Sequence, residues 1–546
     1  MGRRLSTPRS AASGHVQSEP YLLAQALYAH HRWTDAETLC RAILKHQLDH
    51  PGALTLLGIM LAQSKRTGEA ADFLGRAARR SPLDAVAQIN HGNVLRDLGQ
   101  SANALACYQR AIALAPDDPD AHYNLGLALS DLRRLGEALA SFERAIALES
   151  DYAEAYANRG VILRKLERFD ESLASLDRAI AIRPEFAQAH FDRGLALVAL
   201  TRLDEALASY DRAITIEPQF AEAHFDRGVT LTLLERFDAA RESLERATEL
   251  APDHARAHRQ LGNTLRRLRR FDAALACFGR SLAIEPQCAE THFDCGLTLV
   301  GCKVLPEALK SFDRALALGR RDVTVHRYRG AVLQELNRAE EAILSYAQAL
   351  ALDPRAALLS GKCRHARMEM ADWEGIETDL AAIGSAIEHG KAAAPPFVLL
   401  SLLDAPALHR KAAEIWVRDN FVPCTPLAAL PRRTRRDKIR IGYFSADFRD
   451  HPVARLAAGL FEMHDRSGFD LTAFSLGPDV HDELRARVEA ACERFLRVDG
   501  QSDAQVAMLA RELEIDIAVD LGGYTGDARP GILALRAAPI QVSYLG

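Results

Sequence analysis

Residues 119–152 read PDAHYNLGLALSDLRRLGEALASFERAIALESDY, and this pattern decides the fold because it recurs along most of the chain. Its glycine, Gly126, belongs to a series of nine glycines that follow one another at intervals of 34 residues. The series is Gly58, Gly92, Gly126, Gly160, Gly194, Gly228, Gly262, Gly296 and Gly330. Such a fixed period is the sequence signature of a repeat architecture, in which each unit stacks on its neighbours.

Two other positions recur with each glycine. Twelve residues after it stands a small residue, which is alanine in every unit except the fourth, where it is Ser172. A degenerate leading unit has Ala24 in place of the glycine and Ala36 at the small position. Sixteen residues after it stands a large one: Leu74, Tyr108, Phe142, Leu176, Tyr210, Leu244, Phe278, Phe312 and Tyr346. The pattern predicts two short amphipathic helices per unit. We expect the small residues to let the helices approach closely and the large ones to fill the gap to the next unit.

Residues that typically begin helices occur where a unit of two helices needs them. Asp118 is a candidate N-cap, with Pro119 at the first helical position after it. Asp238 is a candidate N-cap for a second helix. The 34-residue helix–turn–helix pattern resembles the tetratricopeptide repeat. With the degenerate unit, about ten repeats end near Pro354. We therefore expect an α-solenoid, coiled into a right-handed superhelix with a concave groove that suits an extended ligand.

Composition narrows the class of protein. With 48% apolar residues, 26% charged residues and a net charge of -5, the chain does not have the basic surplus of a general nucleic-acid binder. No apolar run reaches the roughly 18 residues that a membrane span needs. Nine cysteines without a CxxC pair favour reduced thiols, hence a cytoplasmic protein without a metal site. We expect neither nucleic acid nor membrane as a partner.

A ladder of short polar residues lies two positions before successive glycines. Its members are Asn90, Asn124, Asn158, Asp192, Asp226, Gln260 and Asp294. Because an amide side chain both donates and accepts hydrogen bonds, the ladder could hold a peptide backbone of any sequence in the groove, and its carboxylates would favour Lys or Arg in the ligand. The alternative is that these side chains bond adjacent repeats or pair with neighbouring arginines.

The pattern of apolar residues changes after the repeats. Residues 1–18 are predicted to be a disordered tail, 19–356 the repeats, 357–436 a helical connector ending in the basic linker Arg432–Arg436, and 437–546 an α/β lobe. In the last segment short apolar strands alternate with helices, which predicts a parallel, Rossmann-like sheet. His451 and the loop 522–526 both follow strands, and ligands bind at the carboxyl ends of such strands.

The lobe motifs carry a specific resemblance. The stretch IRIGYFSADF from Ile439 to Phe448, His451-Pro452, Gly523-Tyr524-Thr525 and ALRAAPIQV at 534–542 resemble the amino-terminal catalytic lobe of the protein O-linked N-acetylglucosamine transferase family. The repeats in front are similar to that family's layout. The resemblance implies transfer of N-acetylglucosamine from UDP-GlcNAc to Ser or Thr of protein substrates guided by the repeats, with no cofactor beyond the sugar donor.

The resemblance also assigns site residues. The family's active-site histidine corresponds to His451, which would either take the proton of the attacking hydroxyl or position the acceptor. Tyr524 corresponds to another active-site position. The alternatives are that His451 packs structurally in a turn and that Tyr524 only shapes its loop.

Three departures from the family qualify this hypothesis. Arg455 replaces a second histidine of many bacterial relatives, Gly522 replaces a larger polar residue, and the sequence stops at Gly546 before the second Rossmann-like lobe. We therefore expect the 546-residue chain to bind UDP-sugar weakly and to transfer little. The competing hypothesis is a repeat-based protein–protein interaction scaffold with a vestigial, inactive lobe.

Overall fold

A computed structural model describes residues 19–420, 437–523, 525 and 528–544. The predicted tail at 1–18, the basic linker Arg432–Arg436 and Tyr524 lie outside these residues. Among the residues described, no helix is both long enough and apolar enough to cross a membrane.

Twenty antiparallel helices form the repeat region. They are α1 (Glu19–Ala29), α2 (Trp33–His46), α3 (Pro51–Gln63), α4 (Thr67–Arg80), α5 (Ala85–Asp97), α6 (Ser101–Leu114), α7 (Pro119–Asp131), α8 (Leu135–Leu148), α9 (Ala153–Lys165), α10 (Phe169–Ile182), α11 (Ala187–Ala199), α12 (Leu203–Ile216), α13 (Ala221–Leu233), α14 (Phe237–Leu250), α15 (Ala255–Arg267), α16 (Phe271–Ile284), α17 (Ala289–Gly301), α18 (Leu305–Ala317), α19 (Val323–Glu335) and α20 (Ala339–Leu352). The helical solenoid predicted from the 34-residue period is confirmed.

The repeat glycine is explained by close packing within its own unit. A Cβ at Gly194 would lie 2.4 Å from the ring of Tyr210, and one at Gly126 would lie 2.7 Å from the ring of Phe142. The large side chain thus occupies the space above the glycine of its own unit, rather than only the gap to the next unit as we expected. Ser172 is buried like the alanines at its position, and its hydroxyl donates to the Gly160 carbonyl at 2.7 Å.

The turn between the two helices of a unit is built on a left-handed residue. Glu167, with φ of 60°, follows α9, and the next N–H, of Arg168, bonds back to the carbonyl of Leu163 at 2.9 Å. This is the Schellman geometry that ends a helix. The second helix then begins directly, so Asp238 lies inside the first turn of α14 and is not its N-cap as expected, whereas Asp118 does cap α7.

Consecutive units are joined by a second repeated bond that sequence analysis did not identify. A histidine on the first helix of a unit donates its Nε2–H to the carbonyl of the proline that closes the preceding unit. The pairs are His122–Pro116 (2.9 Å), His190–Pro184 (3.0 Å), His224–Pro218 (3.1 Å), His258–Pro252 (3.0 Å) and His292–Pro286 (3.1 Å). The bond fixes where each first helix starts relative to the unit before it.

The chain divides into two compact units, Met1–Thr230 and Leu231–Gly546. In the first unit, the first helices α3, α5 and α7 contact one another in turn, α9 contacts α11, and Asn158 of α9 bonds to Tyr123 of α7. The second compact unit contains the remaining repeats, the connector and the lobe.

The described part of the connector, up to residue 420, contains four helices: α21 (Leu359–Glu369), α22 (Ile376–Glu388), α23 (Pro396–Leu402) and α24 (Pro406–Asn420). Pro395 is the N-cap of α23 and Pro396 begins it, because proline is tolerated at the first helical position. The buried Arg364 holds the loop before α22 by donating to the Glu374 carbonyl at 2.8 Å and to Asp379 at 3.1 Å.

The lobe is a five-stranded parallel sheet with the strand order β3-β2-β1-β4-β5. Its elements are β1 (Ile439–Ser445), α25 (Pro452–Glu462), β2 (Phe469–Ser475), α26 (Glu483–Ala491), β3 (Arg494–Arg497), α27 (Asp503–Glu512), β4 (Ile517–Asp520), α28 (Gly531–Ala534) and β5 (Ile540–Ser543). The predicted Rossmann-like α/β architecture is confirmed. Helix α26 ends at Ala491, and Phe495 lies in β3, where it pairs with Ala473 of β2.

Candidate functional site

The site is organised by the order of the strands. β1 lies between β2 and β4, so the chain leaves β1 toward one side of the sheet and later returns on the other. In open parallel sheets this reversal leaves a crevice beyond the carboxyl ends of the two central strands, where ligands bind. Here the loop 446–451 follows β1, and Leu521–Gly523 follows β4.

His451 is held at the start of α25. It is the N-cap residue of that helix, and its Nδ1 accepts the Val453 N–H at 3.3 Å. The same Nδ1 lies 3.6 Å from Oδ2 of Asp447. The first contact requires an unprotonated Nδ1 and the second a protonated one, so the two compete, and the choice decides whether Nε2 is a donor or an acceptor.

Asp447 is the residue that sequence analysis missed. Its side chain is 13% exposed, against 37% for His451, and its N–H donates to Ser445 Oγ at 3.0 Å. Arg449 lies on the other side of the carboxylate, with Nη2 3.3 Å from Oδ1. The only sequence signal was an acidic residue at the end of a strand, four positions before the histidine.

Asp520 shapes the loop on the β4 side. Its buried carboxylate accepts the N–H groups of Gly522 and Gly523 at 3.0 and 3.1 Å. Burial raises the pKa of Asp520, and these two hydrogen bonds oppose that rise. The arrangement fixes the backbone immediately before Tyr524. A Cβ at Gly522 would lie 3.0 Å from the Ala528 side chain, so a larger residue there would displace its neighbour.

The loops after β1 and β2 are packed into one edge. A Cβ at Gly477 would lie 1.9 Å from the Ala446 carbonyl oxygen, so only glycine fits at this position. The Asp450 N–H donates to Asp482 Oδ2 at 2.6 Å. Arg455, at the position where we expected a departure from related proteins, pairs with Asp450 at 2.7 Å. Contacts with the loop after β2 therefore hold the loop that contains His451.

The ladder residues of the first compact unit differ in their surroundings. Asn90 and Asp192 are buried, whereas Asn124, Asn158 and Asp226 are half-buried. Asn158 Nδ2 donates to the Tyr123 hydroxyl of the preceding repeat at 3.0 Å, and Asn124 Nδ2 donates to the Asp120 carbonyl of its own helix at 2.8 Å.

Two ladder carboxylates are engaged inside the chain. Asp192 accepts the Gln188 amide at 3.0 Å, and burial raises the pKa of Asp192. In the second compact unit, Asp294 accepts the Asn263 amide at 2.9 Å, its pKa is also raised by burial, and Gln260 is half-buried. The bonds of Asn158 and Asp294 cross between repeats, as the alternative interpretation predicts, whereas those of Asn124 and Asp192 stay within their own helices. Peptide binding by the ladder stays a prediction.

Comparison with protein families separates the two parts of the chain. A model described as tetratricopeptide repeat matches residues 21–85, 126–187, 158–222, 191–255, 233–289 and 305–357, and a second repeat model matches 92–132. The chain belongs to the tetratricopeptide repeat family. Residues 424–546 of this repeat protein match glycosyl transferase family 41, so its repeats are followed by a domain of that family.

Curated relatives of the repeat protein are sugar transferases. It is 37% identical over 131 residues to the probable UDP-N-acetylglucosamine–peptide N-acetylglucosaminyltransferase SEC of Arabidopsis thaliana, a stretch that covers 24% of this chain and 13% of that protein. It is 34% identical over 110 residues to the UDP-N-acetylglucosamine–peptide N-acetylglucosaminyltransferase of Caenorhabditis elegans, covering 20% and 10%. The matches therefore span a small part of those relatives.

Among solved structures, a point mutant of the Thermobaculum terrenum O-GlcNAc transferase aligns with 27% identity and a TM-score of 0.35. The alignment covers 53% of this chain and 50% of that one.

Proposed function

We propose that the chain supplies the substrate-binding repeats and the acceptor-side lobe of a protein O-N-acetylglucosaminyltransferase, with UDP-GlcNAc as the sugar donor. The observation that carries the proposal is the placement of His451 beside Asp447 at the carboxyl edge of the β1/β4 crevice. The glycosyl transferase family 41 match over the same lobe supports the reaction class.

The chemistry asks for one proton acceptor. The oxygen of a Ser or Thr hydroxyl forms a bond to the sugar C1, the C1–O bond to UDP breaks, and the hydroxyl proton must move to a base. Histidine suits this task because its ordinary pKa lies near neutrality. For Nε2 to accept that proton, Nδ1 must carry its own proton and face Asp447, so the Val453 N–H must be released from Nδ1.

Asp447 then acts as a positioning residue. A carboxylate beside Nδ1–H selects the tautomer whose Nε2 is free to accept, and it stabilises the imidazolium formed during transfer. Arg449 limits this effect, because its guanidinium shares the same carboxylate.

Transfer to a Ser/Thr peptide from UDP-GlcNAc tests the proposal, with the chain fused to the carboxyl-terminal lobe of a family 41 enzyme. We expect His451→Ala to lower the transfer rate by about 10²–10⁴-fold, the usual contribution of a general base. His481→Ala is the matched control, because that exposed histidine pairs with Asp479 in the same lobe. Full activity of His451→Ala would remove this histidine from the mechanism.

Asp447→Asn separates positioning from simple structural support. We expect a lower rate at saturating peptide with little change in KM, and an altered pH–rate profile, because the histidine loses its partner. Loss of folding, checked by circular dichroism, would instead indicate a structural role.

The second candidate function is a protein-binding scaffold. It is favoured by the extent of the repeats, which form twenty of the helices described, while the lobe contributes four. Peptide binding by the chain together with no transfer by the fused protein would support it.

A further inference from the structure

The turn between α15 and α16 is covered, whereas the matching turns of the other repeats are exposed. Its left-handed residue, Arg269, is half-buried, and every other left-handed residue at this position in the repeats is exposed. The preceding Leu268 is 7% exposed, against 38% for Leu98 and 37% for Leu132 at the same position. The difference within one repeated pattern indicates that another part of the chain lies on this turn.

The part that lies there is the loop after β3 of the lobe. We call residues 498–503 the β3 loop. Arg269 Nε donates to the carbonyl of Asp499 at 2.7 Å, and both residues belong to the second compact unit. Because β3 is parallel to the other strands, the β3 loop lies at the same carboxyl edge of the sheet as His451. One repeat is therefore bonded to the edge of the sheet that carries the candidate site.

The β3 loop is fixed to the lobe by the buried Arg529. The guanidinium of Arg529 donates to the carbonyls of Val498 and Gln501, at 3.2 and 2.7 Å. It also donates to the Asp503 carboxylate at 2.7 Å. A repeat that holds the β3 loop consequently holds the lobe as well.

The same arginine connects the β3 loop to the β4 side of the crevice. Arg529 follows Ala528, whose N–H donates to the Thr525 carbonyl at 3.2 Å. Thr525 donates both its N–H and its hydroxyl to the Gly522 carbonyl, at 3.1 and 2.8 Å. Contacts thus run without a break from Arg269 to the loop after β4, which borders the crevice.

We propose that Arg269 is a positioning residue, whose bond to the β3 loop holds the crevice at a fixed place relative to the α15–α16 repeat. A segment bound along the repeats then presents its Ser or Thr hydroxyl at His451. Helix α15 also carries the ladder residue Gln260, so the bonded repeat belongs to the predicted peptide-binding surface.

This inference rests on the proposed function and specifies its acceptor as an extended segment that engages the repeats and the lobe together. Two linked binding sites reinforce each other only when their geometry lets one ligand reach both. A short peptide that occupies the lobe alone does not depend on that geometry. The role of Arg269 should therefore be visible with long acceptors and not with short ones.

Hydrogen–deuterium exchange of the full chain tests the contact itself. We expect Arg269→Gln to speed exchange in both the α15–α16 turn and the β3 loop by about threefold, the effect of losing one hydrogen bond. Arg133→Gln is the matched control, because Arg133 is an exposed arginine with the same left-handed conformation in the turn between α7 and α8. Faster exchange confined to the α15–α16 turn would overturn the proposal.

Transfer by the chain fused to the carboxyl-terminal lobe of a family 41 enzyme tests positioning. The long acceptor is dephosphorylated β-casein, an unfolded protein, and the short acceptor is a synthetic peptide around one serine that the fused protein modifies in casein. We expect Arg269→Gln to lower kcat/KM at that serine about tenfold in casein and to leave the rate with the peptide unchanged. Arg133→Gln should change neither value.

The other outcomes of this experiment contradict the proposal in distinguishable ways. An equal loss with both acceptors would show that Arg269 only supports the structure of the lobe. Unchanged rates with both would show that the contact does not place the acceptor. Absence of transfer by every version would reject the proposed function and, with it, the positioning role, while the exchange measurement, which involves no transfer, would still report whether Arg269 holds the β3 loop.

Discussion

At the scale of single residues, the repeat depends on a glycine whose missing side chain leaves room for a ring. A Cβ at Gly262 would lie 2.6 Å from the ring of Phe278, and its helix cannot move away without disturbing the next unit. A Cβ at Gly279, seventeen positions later on α16, would have no atom within 4 Å. Packing therefore requires glycine at position 262 but not at position 279.

We expect Gly262→Ala to destabilise the repeat region by about 1–3 kcal/mol, the usual cost of overpacking. Gly279→Ala should stabilise it by up to about 1 kcal/mol, because alanine favours helix and nothing obstructs its methyl group. Urea unfolding followed by circular dichroism measures both. Equal effects of the two substitutions would show that packing against Phe278 does not select the glycine.

At the scale of an element, the turn between paired helices is held by one left-handed residue in every unit. Only Gly99 is a glycine there, whereas Arg133, Glu167 and Thr201 adopt φ near 60° with a side chain. An L-residue in this conformation costs roughly 1 kcal/mol that glycine does not.

Glu167→Gly should therefore raise stability by about 1 kcal/mol, and Gly99→Ala should lower it by a similar amount. Urea-unfolding midpoints of the two variants give the comparison. A destabilising Glu167→Gly would mean that the chain entropy of glycine outweighs the relief of strain.

At the scale of the whole molecule, histidines that are at least half-buried make stability depend on pH. Burial is the main reason that the pKa values of His91, His190 and His326 lie below 6.5. Between the lowered pKa and 6.5 the unfolded chain binds more protons than the folded chain, so stability is retained above pH 6.5 and falls as the pH drops below it.

Thermal unfolding between neutral and mildly acidic pH measures this effect. We expect the unfolding midpoint to fall as the pH is lowered. Each histidine contributes at most about 1.4 kcal/mol per pH unit to the change in the free energy of unfolding. Replacing His91, His190 and His326 together with Gln should flatten the dependence of the midpoint on pH.

The raised pKa values of Asp192 and Asp520 act with the opposite sign at lower pH, so Asp192→Asn should increase stability at neutral pH.

The solenoid was predictable because its information is local. Gly126 and Phe142 meet within one helical pair, so a period in the sequence is directly a period in space. The strands of the lobe were also predictable as short apolar runs, such as the run that forms β1.

By itself, then, the sequence determined the repeat architecture, the α/β character of the lobe and the position of His451 after a strand. Only the tertiary structure decided which groups are satisfied. Asp447 lies within reach of the His451 ring, Asn158 meets Tyr123 of another repeat, and the buried Asp520 accepts two loop N–H groups. Periodicity specifies where side chains recur along the chain, whereas burial and pairing depend on neighbours that folding brings together from other units.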